Sequence, residues 1–119
     1  MKRVLVIEDN EANMYLMEFM LKKNNFEVIQ ARDGLAGIQK ATTEKPDLII
    51  MDIQLPDING LEATHKIREN ETTRNIPIVA VTSYAIKGDR EKALAAGCTG
   101  YIEKPINPEV FLQSINSYL

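Results

Sequence analysis

Asp47-Leu48-Ile49-Ile50-Met51-Asp52-Ile53-Gln54 is the stretch whose reading decides the fold. Its apolar residues run on without alternation and then stop on a carboxylate, which is the pattern of a strand covered on both faces. The same grammar recurs outward from it. Strands are expected at residues 3–7, 27–31, 47–51, 78–81 and 100–102, and segments of helical period at 10–24, 34–43, 60–70, 84–96 and 108–118. Aliphatic strands alternating with longer helical segments make a parallel sheet with crossover helices on both faces. Five such units occupy the chain, so one domain over residues 1–119 is expected, with Pro46, Pro56, Pro77, Pro105 and Pro108 in loops or at helix starts.

Composition narrows the function classes. The 119 residues, 45% of them hydrophobic, suffice for one core and leave no room for two full domains. A net charge of −3 without a basic stripe argues against nucleic acid as a partner. Cys98 is the single cysteine, which excludes an internal disulfide or a cysteine zinc site and points to a reducing, cytoplasmic setting. The apolar run from Val4 to Ile7 is cut short by Glu8 and Asp9, so neither a signal peptide nor a membrane span is read here, and no membrane partner is expected.

In an open parallel sheet, ligands bind beyond the carboxyl ends of the strands, where the strand order reverses. The first strand runs into Glu8-Asp9-Asn10 and the third into Asp52-Ile53-Gln54. If these strands are neighbours, three carboxylates converge, and like charges at such range raise one another's pKa or call in a cation. Hard oxygen donors with open positions favour Mg²⁺. The plainer alternative is that acids at strand ends cap the next helix, as Asp9 before Asn10 would. The fourth strand delivers Thr82-Ser83 and the fifth Glu103-Lys104-Pro105, which brings a hydroxyl and an ammonium to the same edge. Opposite metal-held carboxylates, these groups suit the oxygens of a phosphoryl group.

The set Glu8-Asp9, Asp52, Thr82 and Lys104-Pro105 resembles the receiver domain of bacterial two-component response regulators. Ile7-Glu8-Asp9-Asn10, Met51-Asp52-Ile53-Gln54-Leu55-Pro56, Asn59-Gly60-Leu61-Glu62, Ala95-Ala96-Gly97 and Tyr101-Ile102-Glu103-Lys104-Pro105 carry the resemblance over essentially the whole chain. The stretches 52–62 and 84–89 look closer to stand-alone DivK-like receivers and to receivers of hybrid kinases than to the chemotaxis receiver. The resemblance implies a flavodoxin-like α/β receiver fold whose five-stranded parallel sheet has the order 2-1-3-4-5. It implies that Asp52 accepts a phosphoryl group from a sensor histidine kinase or a histidine phosphotransfer protein. Asp9, Asp52 and the Gln54 carbonyl would hold Mg²⁺, Glu8 acting mainly through water, while Thr82 and Lys104 pair with phosphoryl oxygens. A cis bond is implied at Lys104-Pro105. Such a protein is a phosphoacceptor that catalyses its own phosphorylation and slow autodephosphorylation rather than an enzyme with a separate substrate.

The resemblance also implies a switch, in which Thr82 moves toward the phosphate and Tyr101 turns inward. The readout would be the face of the fourth helix, fifth strand and fifth helix, presented to a downstream protein; with the chain stopping at Leu119, no attached output domain is expected. On the first helix, about 100° per residue puts Asn13, Met17, Met20 and Leu21 on a core-facing stripe and leaves Tyr15 and Phe19 as a pair well away from it. Ala12, Tyr15, Leu16 and Phe19 are the expected docking surface for the kinase's helical bundle; the alternative is a local aromatic pair. Tyr84 is expected to shield the aspartyl phosphate, and Ser83 adds a hydroxyl where many receivers carry alanine. His65 reads as a surface residue, and Cys98 as a small buried hydrophobe. An aspartyl phosphatase would want a second acid two residues after Asp52, where Gln54 stands, and a nucleotide carrier would want a glycine-rich phosphate loop after the first strand.

Overall fold

The computed structural model describes residues 1–82 and 88–119. Its elements alternate along the chain: β1 (Arg3–Ile7), α1 (Glu11–Lys23), β2 (Glu27–Ala31), α2 (Gly34–Glu44), β3 (Leu48–Asp52), α3 (Gly60–Glu69), β4 (Ile78–Thr82), α4 (Asp89–Ala96), β5 (Gly100–Glu103) and α5 (Pro108–Ser117). All pairings are parallel and the sheet order is β2-β1-β3-β4-β5, the flavodoxin-like arrangement expected. β1 and β3, adjacent at the centre, connect to opposite sides of the sheet, which opens the crevice between their carboxyl ends.

The doubly covered sheet follows from the aliphatic runs. Val4, Val6, Leu48, Ile50, Val79 and Val81 face one side, where Met14, Met17, Leu21, Phe111 and Ile115 of α1 and α5 pack on them. Leu5, Ile7, Ile49, Met51, Ile78 and Ala80 face the other, against Ala41, Ala63, Ile67 and Ala93 of α2, α3 and α4. Every residue of β3 and β4 is buried. β2 corrects the expectation of two-sided burial, because Glu27 is exposed and Val28, Ile29 and Gln30 are only half-buried: it is an edge strand. Helix phase is corrected by one residue, since Met14 rather than Asn13 is buried on α1.

Boundaries shift where backbone hydrogen bonds go. Asp47 stays outside β3, where its carboxylate accepts from the Arg3 N–H at 2.8 Å. Asp52, Thr82 and Glu103 are the last residues of their strands, not the first of the loops. Asn10 lies outside α1 as its N-cap and accepts from the Asn13 N–H at 2.9 Å. Gly97 ends α4 at φ 114°, a left-handed cap suited to glycine. Arg68 holds the neighbouring turns together, donating to the carbonyls of Gly97 at 2.8 Å and Ile76 at 2.6 Å. The expected fourth helix from Tyr84, and the roles read for Ser83 and Tyr84, fall on residues 83–87, outside the described residues.

Candidate functional site

The sheet ladder runs one residue past the strand ends, and this places the site. Ile7 stands beside Met51 and Asp52 beside Val81. Beyond them Glu8 N–H donates to Ala31 O at 3.0 Å, Ile53 N–H to Val81 O at 3.1 Å and Lys104 N–H to Thr82 O at 2.7 Å. Glu8, Ile53 and Lys104 are therefore held by backbone bonds before any side-chain interaction is counted. The Lys104–Pro105 bond is cis, as the resemblance implied.

Glu8, Asp9 and Asp52 converge, each offering a carboxylate oxygen within 4.8 Å of the others. Glu8 is fully buried, Asp52 is 5% exposed and Asp9 faces solvent. Lys104 reaches in from the other side of the crevice, its Nζ 2.7 Å from Glu8 Oε1 and 3.5 Å from Asp52 Oδ2. Burial pushes the Glu8 carboxyl above its ordinary value, and its side-chain hydrogen bond with Asp52 raises it further. The Lys104 ammonium pulls it down without cancelling these effects, the Asp52 charge adds a smaller upward push, and the Asn10 N–H offsets part of the rise. Gln54 N–H donates to Asp52 Oδ1 at 3.0 Å, which fixes the orientation of that carboxylate and orders the first residues of the loop after β3.

Asp9 does not cap α1; Asn10 does, so the capping alternative fails for the acid best placed to fulfil it. The donor set is all oxygen, with one exposed and two buried carboxylates, and it suits a small hard divalent cation with remaining open positions. Thr82, 2% exposed, ends the strand next to Asp52, and Tyr101 is half-buried on the following strand. The crevice thus brings a buried carboxylate, two further acids, a hydroxyl and an ammonium to one edge, an arrangement suited to taking up a phosphoryl group.

The expected docking residues lie together on the exposed side of α1. Ala12 is exposed, Tyr15 is 72% exposed, Leu16 39% and Phe19 54%. The Tyr15 and Phe19 rings stack at 6.4 Å, and Lys23 Nζ lies 5.9 Å from the centre of the Phe19 ring. A groove of about 370 Å³ continues from Leu16 and Phe19 to Pro108 and Leu112 of α5. His65 is exposed and pairs with Glu69 at 3.0 Å on α3. Sequence reasoning missed the direct Lys104–Glu8 pair, whose only signal was opposite charge at converging strand ends. It also gave no role to Asp57, which accepts two backbone hydrogen bonds from α2.

Residues 4–116 match the family model of the response regulator receiver domain. The polar-differentiation response regulator DivK of Brucella anthropi is 44% identical over 118 residues, covering 99% of this chain and 96% of that protein. The receiver domain of the sensor histidine kinase PA1611 of Pseudomonas aeruginosa, solved with a magnesium ion in its active site cleft, is similar at a TM-score of 0.92. It is 34% identical, with 98% of this chain and 96% of that one covered. The receiver domain of the response regulator Ssk1 of Saccharomyces cerevisiae, solved with the histidine phosphotransfer protein Ypd1, is similar at a TM-score of 0.91, 30% identity and coverage of 98% and 88%.

Proposed function

This chain belongs to the receiver-domain family of response regulators in two-component signalling, and on that premise we propose that Asp52 accepts a phosphoryl group from a phosphohistidine. The observation that carries the proposal is the crevice itself: three carboxylates within 4.8 Å, one of them buried at the end of β3, faced by Lys104. Asp9, Asp52 and the Gln54 carbonyl would hold Mg²⁺, with Glu8 reaching it through water. When bound, Mg²⁺ neutralises the acids and draws phosphoryl oxygens toward Asp52. An Asp52 carboxylate oxygen forms the new bond to phosphorus as the bond to the donor's imidazole nitrogen breaks. The Thr82 hydroxyl and the Lys104 ammonium take up phosphoryl oxygens, so Lys104 exchanges part of its hold on Glu8 for the phosphate. No general base is required for an ionised carboxylate. Slow hydrolysis of the aspartyl phosphate by water returns the protein to its starting state.

The donor is a sensor histidine kinase or a histidine phosphotransfer protein, docking on Ala12, Tyr15, Leu16 and Phe19 beside the crevice. Thr82 and Tyr101 carry the change to the face of α4, β5 and α5. A groove of about 310 Å³ there, lined by Arg90, Tyr101, Glu103 and Val110 among others, supports a downstream protein as reader. The free, buried Cys98 supports the cytoplasmic setting expected, and no helix among the described residues is long and apolar enough to cross a membrane.

Acetyl phosphate with Mg²⁺ tests the chemistry without a partner. One phosphoryl mass is expected on the wild type and none on Asp52→Asn or in the presence of a chelator. No addition from acetyl phosphate, and no response to a beryllofluoride analogue, would point instead to a receiver that signals by docking alone. Docking is tested separately. The double variant Tyr15→Ala/Phe19→Ala is expected to keep its acetyl phosphate rate and lose at least about tenfold in transfer from a phosphohistidine protein. Equal rates from both donors would remove α1 from the docking surface.

A further inference from the structure

The loop joining β3 to α3 carries the Gln54 carbonyl, and two ties hold it. At its base, Gly60 N–H donates to Ile53 O at 2.7 Å and closes the loop on itself. At its tip, Asp57 reaches across to α2, accepting from Gly34 N–H at 2.8 Å through Oδ1 and from Leu35 N–H at 2.9 Å through Oδ2. Both donors belong to the first turn of α2, where N–H groups have no partner within the helix. Asp33 already caps that helix through the Ala36 N–H at 2.7 Å, so Asp57 is a second carboxylate on the same helix end, brought from more than twenty residues away.

Packing reinforces the tie. A Cβ at Gly34 would lie 2.5 Å from Ile58 Cγ1, so the absence of a side chain there lets the loop tip sit against the helix. Desolvation pushes the Asp57 carboxyl up, but the N–H groups of Leu35 and Gly34, with smaller contributions from its own loop, outweigh it and hold the group below its ordinary value. Gln54, Leu55 and Pro56 are the only residues between the base tie and the tip tie.

We propose that Asp57 is a positioning residue for the metal: by clamping the loop tip to α2 it holds the Gln54 carbonyl where the cation takes it as a ligand. The inference rests on the metal reading above and adds to it a residue that touches neither metal nor phosphate. It acts as hydrogen-bonding partners behind metal ligands generally do, by fixing a ligand's position.

The test is an amide NMR titration with MgCl₂ of the wild type, Asp57→Ala, Asp57→Asn and Asp33→Ala. Asp57→Ala is expected to lower Mg²⁺ affinity about tenfold. Asp57→Asn keeps one acceptor oxygen and is expected to fall between it and the wild type. Asp33→Ala weakens the same helix end without touching the loop and is expected to bind Mg²⁺ as the wild type does. Hydrogen exchange gives a readout free of metal, with the Gln54 amide exchanging faster in Asp57→Ala and unchanged in Asp33→Ala. Wild-type affinity in Asp57→Ala, or an equal loss in Asp33→Ala, overturns the proposal and leaves the metal site standing. A wild type whose titration is untouched by Asp52→Asn overturns the metal reading, and this inference with it.

Discussion

The two edges of this one sheet carry the same kinds of charge and treat them in opposite ways. At the amino edge Arg3 meets Glu27 at 3.4 Å and Glu44 at 2.7 Å, with side chains 33%, 55% and 44% exposed. At the carboxyl edge Lys104 meets Glu8 at 2.7 Å and Asp52 at 3.5 Å, with side chains 10%, 0% and 6% exposed. Water screens the first group, and each member of it would be solvated if the others were removed. In the second, each ion depends on the others because solvent cannot replace them. Parallel topology explains why acids gather at the second edge. The helices following the strands begin there, with N–H groups that have no partner within the helix and favour negative charge, whereas Lys22, Lys23, Lys66 and Arg68 lie in last turns of helices ending at the other side.

The largest expected effect separates the edges directly. Lys104→Met leaves Glu8 and Asp52 facing each other without a cation and is expected to cost on the order of 3 kcal/mol in chemical denaturation with chelator present. Arg3→Met removes two exposed pairs and is expected to cost less than about 1 kcal/mol. If the two variants lose equal stability, burial is not what distinguishes the edges. If Mg²⁺ restores Lys104→Met more than it stabilises the wild type, the distinction sharpens into one of charge balance.

A smaller contrast comes from glycine. At the carboxyl edge a Cβ on Gly60 would lie 2.3 Å from the Asp52 carbonyl oxygen and 2.7 Å from Ile53 Cα, both backbone atoms. At the amino edge a Cβ on Gly100 would lie 2.3 Å from the Tyr118 hydroxyl oxygen, the far end of a side chain that can swing aside. Gly60→Ala is therefore expected to cost about 2 kcal/mol and to slow phosphorylation, since the displaced backbone carries Asp52. Gly100→Ala is expected to cost about 1 kcal/mol or less with phosphorylation unchanged. The reverse order in thermal denaturation would mean that the carboxyl edge is the more yielding of the two.

What the sequence made legible follows the same division. The aliphatic runs that lead into Glu8, Asp52 and Thr82 were readable because a buried parallel strand leaves a continuous signal and the residues at its carboxyl end have one address. The edge character of β2 was not, since Val28 and Ile29 look like core until their neighbours are known. Asn13 and Met14 differ by one step of helical phase, too little for a periodicity argument to separate. The Lys104–Glu8 pair and the Asp57 tie join residues distant in the chain, and nothing local announces either.

The last contrast concerns a titratable group that the amino edge buries without ionising it. Cys98 lies in the turn before β5 with its Sγ 3.6 Å from Thr64 Oγ1. Burial pushes its thiol above the ordinary value of 9.0, while the Thr64 hydroxyl and the Arg68 guanidinium offset part of the rise. The folded protein thus holds the thiol proton more tightly than the unfolded chain. The resulting stability is fully present below the unfolded value and is lost as pH rises toward the folded one. The stability difference between wild type and Cys98→Ala is therefore expected to narrow as pH rises from neutral to above the ordinary thiol value, because other groups titrate alike in both proteins. Denaturation midpoints taken across that range check it, and iodoacetamide at the lower pH is expected to leave the folded thiol unmodified. A constant difference would mean that Cys98 ionises in place, and that the amino edge buries a charge as the carboxyl edge does.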